Sequence, residues 1–211
     1  MKQRLLIWGG IALLVLMILV VRFGCRGSAD LPDGDSYEAR MQQIDIMRQR
    51  QELGDIQRLV TLAEEDAGSI RSAAMFALAE FKGSQAGDPL CQIENHSGDA
   101  SLRATAAEAL GRRGEGIPRL MEIVTSESDA AVRVGALRGL VTYSTTERRD
   151  ALPTFLAALR DDDPEVRNWA MRGVTEISKK RFLYEPDKSP ATQAERIAFI
   201  ERRMKDLGLL D

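Results

Sequence analysis

The chain opens with one unbroken apolar run and then changes to helical periodicity for the rest of its length. Leu5 to Val21 (LLIWGGIALLVLMILVV) holds no charged residue. As a helix it would span roughly 26 Å, at the short end of what crosses a bilayer. A stretch rich in Gly, Ser, Asp and Pro follows, Gly24 to Ser36, with no apolar period, and reads as a flexible tether. From Ser36 the apolar positions fall on helical stripes. Met41, Ile44 and Met47 mark a first helix that Ser36 caps and that ends by Gly54. Ile197, Ile200, Met204 and Leu207 mark a last one, starting about Thr192.

Between these lies a repeat. Four nine-residue segments align without gaps: IRSAAMFAL from Ile70, LRATAAEAL from Leu102, VRVGALRGL from Val132 and VRNWAMRGV from Val166. Each reads apolar-Arg-x-x-Ala-x-x-small-apolar, and the arginines Arg71, Arg103, Arg133 and Arg167 are spaced by 32, 30 and 34 residues. A shorter amphipathic stretch precedes each segment: around Ile56, Leu59, Val60 and Ala63, then Leu90, Cys91 and Ile93, then Ile117, Leu120, Met121 and Val124, then Leu152, Phe155, Leu156 and Leu159. The second of these is the weakest. Pro89, Pro118 and Pro153 fall early in three of them, where a missing N–H costs little. Each unit is therefore helix, tight turn, helix in about thirty residues. Asp99, Asp129 and Asp163 sit four residues before a repeated Arg, at the place where a carboxylate caps the second helix. The first unit departs: Ala67 holds that place and Asp66 is one residue early, so Ser69 is the expected cap.

These residues resemble HEAT-like repeats, in particular the short bacterial type also seen in phycobilin-lyase-like proteins. The resemblance covers roughly residues 54–180 and rests on the recurring D-x-x-[VL]-R-x-x-A. It implies an all-α, right-handed α-solenoid of about four helical hairpins. It also implies that Asp99, Arg103, Asp129, Arg133, Asp163 and Arg167, with Arg71, form a hydrogen-bonded ladder between successive repeats, a structural role. The expected organisation is a basic flank at 1–4, a transmembrane signal anchor at 5–22, a linker at 23–35, a capping helix at 36–53, the repeats at 54–180, and a loop with a C-terminal capping helix at 181–211.

Composition agrees with packed helices: 44% of residues are hydrophobic but only 5% aromatic. Of 29 basic and 32 acidic residues, four basic (Lys2, Arg4, Arg22, Arg26) and one acidic (Asp30) precede Leu31. That leaves 25 basic and 31 acidic, a net of −6. Such a domain does not suit a phosphate backbone, and no nucleic-acid partner is expected. The apolar run lacks a small-residue cleavage site and is long for a cleaved signal. A lipoprotein signal ending at Cys25 is a lesser alternative, poorly served by Arg22 and Phe23 before it, and an ordinary cleaved signal is a third. Positive residues at Lys2 and Arg4 favour a cytoplasmic N-terminus and a periplasmic soluble domain, over the cytoplasmic one that Arg22 and Arg26 would favour.

Chemistry is sparse. The one histidine, His96, lies in a polar turn, no Cys/His cluster has metal spacing, and no phosphate-binding loop is found. No cofactor and no catalytic residue are expected. The acidic runs Glu64-Glu65-Asp66 and Asp161-Asp162-Asp163 read as solvated helix junctions, with a cation site the lesser alternative. In HEAT-type stacks the second helices line the concave face, and the alignment gives its columns. Phe76, Glu108, Arg138 and Arg172 form one; Glu80, Arg112, Thr142 and Glu176 form another; Ser72, Ala104, Val134 and Asn168 form a third. The expected binding face is a basic strip of Arg112, Arg138 and Arg172, with Asn168 beside it and Phe76 as an exposed apolar anchor. The leading functional expectation is a membrane-anchored scaffold for a protein partner, an accessory subunit of a larger complex. A phycobilin-lyase-like enzyme and an assembly factor are the alternatives. The basic triplet Lys179-Lys180-Arg181 complements a helix C-terminus, with docking to anionic lipid as a weaker reading.

Overall fold

The computed structural model describes residues 31–66, 68–143 and 147–210. The apolar run at 5–22 and Cys25 lie outside these residues. Among the described residues there is no strand, and no helix is long and apolar enough to cross a membrane. Ten α-helices are described: α1 (Tyr37–Arg50), α2 (Gly54–Glu65), α3 (Gly68–Glu80), α4 (Gly87–His96), α5 (Ala100–Arg113), α6 (Ile117–Ser126), α7 (Ala130–Thr142), α8 (Leu152–Ala158), α9 (Pro164–Ser178) and α10 (Ala194–Asp206).

The helices start where the sequence supplies an acceptor. Asp99 Oδ1 accepts from the N–H groups of Ser101 (2.9 Å) and Leu102 (3.3 Å), Asp129 from Ala131 (2.8 Å), and Asp163 from Glu165 (2.8 Å) and Val166 (3.1 Å). Ser36 does the same for α1 through the Ala39 N–H at 3.1 Å. Helix α3 differs. It begins at Gly68, so Ser69 lies inside it, and the Ser69 hydroxyl meets that of Tyr37 at 3.4 Å instead of capping. The last helix starts at Ala194, because Pro190–Gln193 first forms a 3-10 turn. Leu207 falls beyond its end and is 37% exposed, while Ile197, Ile200 and Met204 are buried.

Four hairpins follow in order, α2–α3, α4–α5, α6–α7 and α8–α9. The second helices pack in succession: α3 on α5, α5 on α7, α7 on α9. Helix α1 packs on α3 ahead of them. Among first helices only α6 and α8 meet over more than a fringe. The closer spacing of the second helices places them on the inner side of the stack, and the first helices on the outer side.

The core is one continuous seam along this stack. The alanine of each repeated segment (Ala74, Ala106, Ala136, Ala170) and the small residue three further on (Ala77, Ala109, Gly139, Gly173) are all buried. Small side chains here let backbones approach. The extreme is the crossing of α5 and α7. A Cβ on Gly135 would stand 2.2 Å from the Ala104 carbonyl oxygen, and one on Gly111 would stand 2.2 Å from Gly139 Cα. At Gly173 the obstacle is the Phe155 ring of α8, which occupies the space a Cβ would take.

Candidate functional site

Two arrangements of charged side chains run along the stack. The first is a ladder of arginines. Arg71 donates to Asp99 Oδ2 of the next unit at 2.8 Å. Arg103 stands 3.7 Å from Glu127 Oε1, and Arg133 grips Asp161 with two bonds, Nη2 to Oδ1 at 2.7 Å and Nε to Oδ2 at 2.9 Å. Each arginine also reaches back to its own turn: Arg103 to the Ser97 carbonyl, Arg133 to those of Glu127 and Ser128. Arg167, only 3% exposed, ends the series on main-chain oxygens of Asp161, Asp162 and Pro186.

The acceptors differ from the carboxylates named by the resemblance in two of three units. Asp129 and Asp163 accept from the N–H groups of their own helices. The carboxylates that receive an arginine from the preceding unit are Glu127 and Asp161, two residues upstream of each cap. The reason is geometric. A carboxylate inserted among helix N–H groups points along its own helix, whereas one in the turn after the first helix points toward the preceding unit. Only Asp99 does both, because Ser97 stands at the upstream place and offers no carboxylate. The Asp99 carboxyl is held below its ordinary value; partial burial opposes this, but the Leu102 and Ser101 N–H groups and Arg71 outweigh it. Glu127 is lowered too, chiefly by the Asp129 N–H, with Ser128 and Arg103 adding to it against partial burial.

A fifth rung precedes the repeats. Arg40 of α1 pairs with Asp66, at the end of α2. Ser36 and Arg40 have the same spacing of four as Asp99 and Arg103, and Arg40 N–H bonds the Ser36 carbonyl as Arg103 N–H bonds that of Asp99. Helix α1 thus takes the place of a second helix ahead of the repeats, and the shared spacing is the signal that identifies it.

The acidic runs are explained by these contacts. Asp66 takes Arg40, Asp161 takes Arg133, and Asp163 caps α9. Among the described residues no group of His, Cys, Asp and Glu is placed to hold a metal ion. His96 is exposed, with Nδ1 3.1 Å from the Gln92 carbonyl, and lines an outer hollow of about 790 Å³ between α2 and α4. Burial raises the Cys91 thiol above its ordinary value, with Glu115 and Glu94 adding to the effect.

The second arrangement lies on the inner face and joins residues that the sequence columns kept apart. The Arg112 guanidinium lies 4.1 Å from the centre of the Phe76 ring. Phe76 is therefore half-buried beneath a cation rather than the exposed anchor expected of it. Glu108 receives Arg112 at 3.1 Å and lies 3.7 Å from Arg138. Arg138 and Arg172 both stack on Trp169, at 5.0 and 4.7 Å from its ring. The Trp169 indole N–H donates to Glu165 Oε1 at 2.9 Å. Asn168, next to Trp169, is exposed. Trp169 is the member that the columns missed. It occupies the place held by Ala73, Thr105 and Gly135 in the other units, and one large aromatic in a column of small residues was the available signal.

Beside this band an open groove of about 490 Å³ runs between α5, α7 and α9. Ala104, Val134 and Gly135 form its floor; Ser101, Glu108, Arg138 and Glu165 stand along its sides. The groove exists because the same small residues that let α5 and α7 cross closely leave no side chain to fill it.

A sequence model of the HEAT repeats family matches residues 56–133 and again residues 117–191. No curated protein matches the chain.

Proposed function

The chain belongs to the HEAT-repeat family, and on that premise we propose that it is a membrane-tethered scaffold whose protein partner lies along the inner face. HEAT repeats generally serve protein–protein interaction, and proteins built of them are mostly non-catalytic scaffolds. The observation that carries the reading is the open inner groove, floored by Ala104, Val134 and Gly135, with Arg138 on its side joined through Glu108 and Trp169 to Arg112 and Arg172. A small-residue floor accepts an apolar side chain, and stacked arginines at its edge are the residue type that dominates interface energetics. The tether is the run Leu5–Val21, read as an anchor that leaves the repeats on the periplasmic side of a bacterial inner membrane.

Crosslinking in membranes followed by mild detergent purification tests this. Ser101 is exposed on the groove wall, so Ser101→Trp fills the groove without entering the core. Gln92→Trp places the same bulk on the outer side. The expected result is a crosslinked partner with the natural chain and with Gln92→Trp, and its loss with Ser101→Trp. A chain that stays alone, or a partner indifferent to Ser101→Trp, sinks the proposal.

A further inference from the structure

The inner-face band has an excess of positive charge in a domain that is otherwise negative. Arg112 and Arg138 share one carboxylate, Glu108, while Glu165 accepts the Trp169 N–H and Glu176 pairs with Lys179. Arg172 touches only the Trp169 ring, with no carboxylate at ion-pair distance among the described residues. Stacking uses the faces of these guanidiniums and leaves N–H edges for an acceptor. The Arg112 and Arg138 side chains remain 45% and 42% exposed for that purpose. An arginine already laid flat on an aromatic ring also loses less freedom when its edge is engaged than one waving in solvent. Helices packed side by side stand about 8–10 Å apart. The three arginines belong to three successive second helices; Arg112 and Arg138 share Glu108, and Arg138 and Arg172 share the Trp169 ring, so neighbouring guanidiniums lie within about that interval. An extended chain rises about 3.3 Å per residue, so every third residue meets the same interval.

We propose that this band docks an extended acidic segment of the partner, with carboxylates at every third position meeting Arg112, Arg138 and Arg172 in turn. The proposal rests on the inner-face reading above and adds the chemistry of what binds there. Bidentate arginine–carboxylate pairs give the contact its orientation. The neighbouring groove takes an apolar side chain from the same segment.

The chain contains two tryptophans, Trp8 and Trp169, so Trp8→Phe leaves Trp169 as the sole indole and makes it the reporter. The full chain, in non-ionic detergent, is titrated with a synthetic peptide carrying Glu at every third position between Ser and Gly. A second peptide carries Lys at those positions. The expected result is a saturable change in Trp169 emission with the Glu peptide, weakened by about 0.5 M salt, and none with the Lys peptide. Arg172→Glu should weaken the Glu peptide by about tenfold or more. Arg172 makes no ion pair among the described residues, so this variant leaves the Glu108 contacts in place. Circular dichroism checks its fold, and Arg172→Gln, expected to weaken binding several-fold, is the milder companion. The Glu peptide failing to bind, the Lys peptide binding equally, or both Arg172 variants binding like the natural chain overturns the proposal. A partner lost with Ser101→Trp but kept with Arg172→Glu leaves the inner face standing and removes the acidic segment alone.

Discussion

The crossing of α5 and α7 makes a sharp test of how this stack is held. At Gly135 the backbones are so close that a single methyl group has nowhere to go. Its Cβ would lie 2.2 Å from the Ala104 carbonyl oxygen and 2.7 Å from Ala104 Cα, where ordinary contact begins at 3.4 Å. Both obstacles are main-chain atoms, so no rotamer change relieves them. The helices must separate by roughly 1 Å, and the dispersion contacts along the seam weaken steeply with such a gap. Overpacking of this kind costs about 1–3 kcal/mol, with backbone obstacles at the upper end. Alanine's better helix propensity returns at most about 1 kcal/mol. Gly135→Ala is therefore expected to lower unfolding free energy by about 2 kcal/mol, or roughly 4–8 °C in Tm for a domain of this size. The assay is urea unfolding of the full chain in non-ionic detergent followed by circular dichroism, with the slope fitted freely. In a stack stabilised by neighbour contacts a weakened central interface also broadens the transition, because the two halves begin to melt separately. Gly98 supplies the control. Nothing lies within 4 Å of a Cβ placed there, so Gly98→Ala should stay within about 0.5 kcal/mol of the natural chain. If Gly135→Ala is as stable as the natural chain, or Gly98→Ala is damaged equally, the account of the crossing is wrong.

Further predictions follow from the ladder and its neighbours. Arg133→Gln breaks a bidentate pair whose partners are 14% and 13% exposed, and should cost about 2–3 kcal/mol by urea unfolding; Arg203→Gln, at an exposed pair, should cost less than about 0.5 kcal/mol. Arg113→Ala removes the donor to the carbonyls of Leu78 (3.1 Å), Phe81 (2.8 Å) and Gly83 (2.6 Å) at the end of α3. It should cost about 2 kcal/mol and raise amide exchange first at Leu78–Gly83. Asp99 and Glu127 are both lowered in the folded state, so the unfolded chain binds more protons as pH falls. Their contribution is complete above the ordinary carboxylate range and is lost as pH drops through and below it. The urea midpoint should hold from neutrality to about pH 5 and then decline, with a smaller decline in Asp99→Asn.

Much of this architecture is readable in the residues because the repeat is periodic at two levels. The spacing of Asp99, Asp129 and Asp163 ahead of the arginines places three helix starts, and the buried Ala and Gly positions place the seam. What the sequence conceals is direction. Nothing in the order of residues says that Asp129 turns toward its own helix while Glu127 turns toward Arg103, since both are acids two positions apart in one turn. The same holds on the inner face. Phe76 and Arg112 fall in different columns, and their contact depends on the lateral offset between α3 and α5. Trp169 occurs once, in a column otherwise of small residues, so no recurring residue type marks it. Arg113 has no counterpart at the same place in other units, where Tyr143 packs instead against Gly114.

The arginine ladder also fixes how this chain could change its length. Every rung hands its donor to an acceptor downstream: Arg40 to Asp66, Arg71 to Asp99, Arg103 to Glu127, Arg133 to Asp161. The final donor, Arg167, is taken up by the Pro186 carbonyl of the chain's own closing loop. A unit duplicated between Arg133 and Arg167 would inherit both a donor and an acceptor and could be spliced in without orphaning either neighbour. A unit added after Arg167 would find that guanidinium already occupied. The stack is open to growth at its middle, whereas the last rung is closed by the chain's own loop at Pro186.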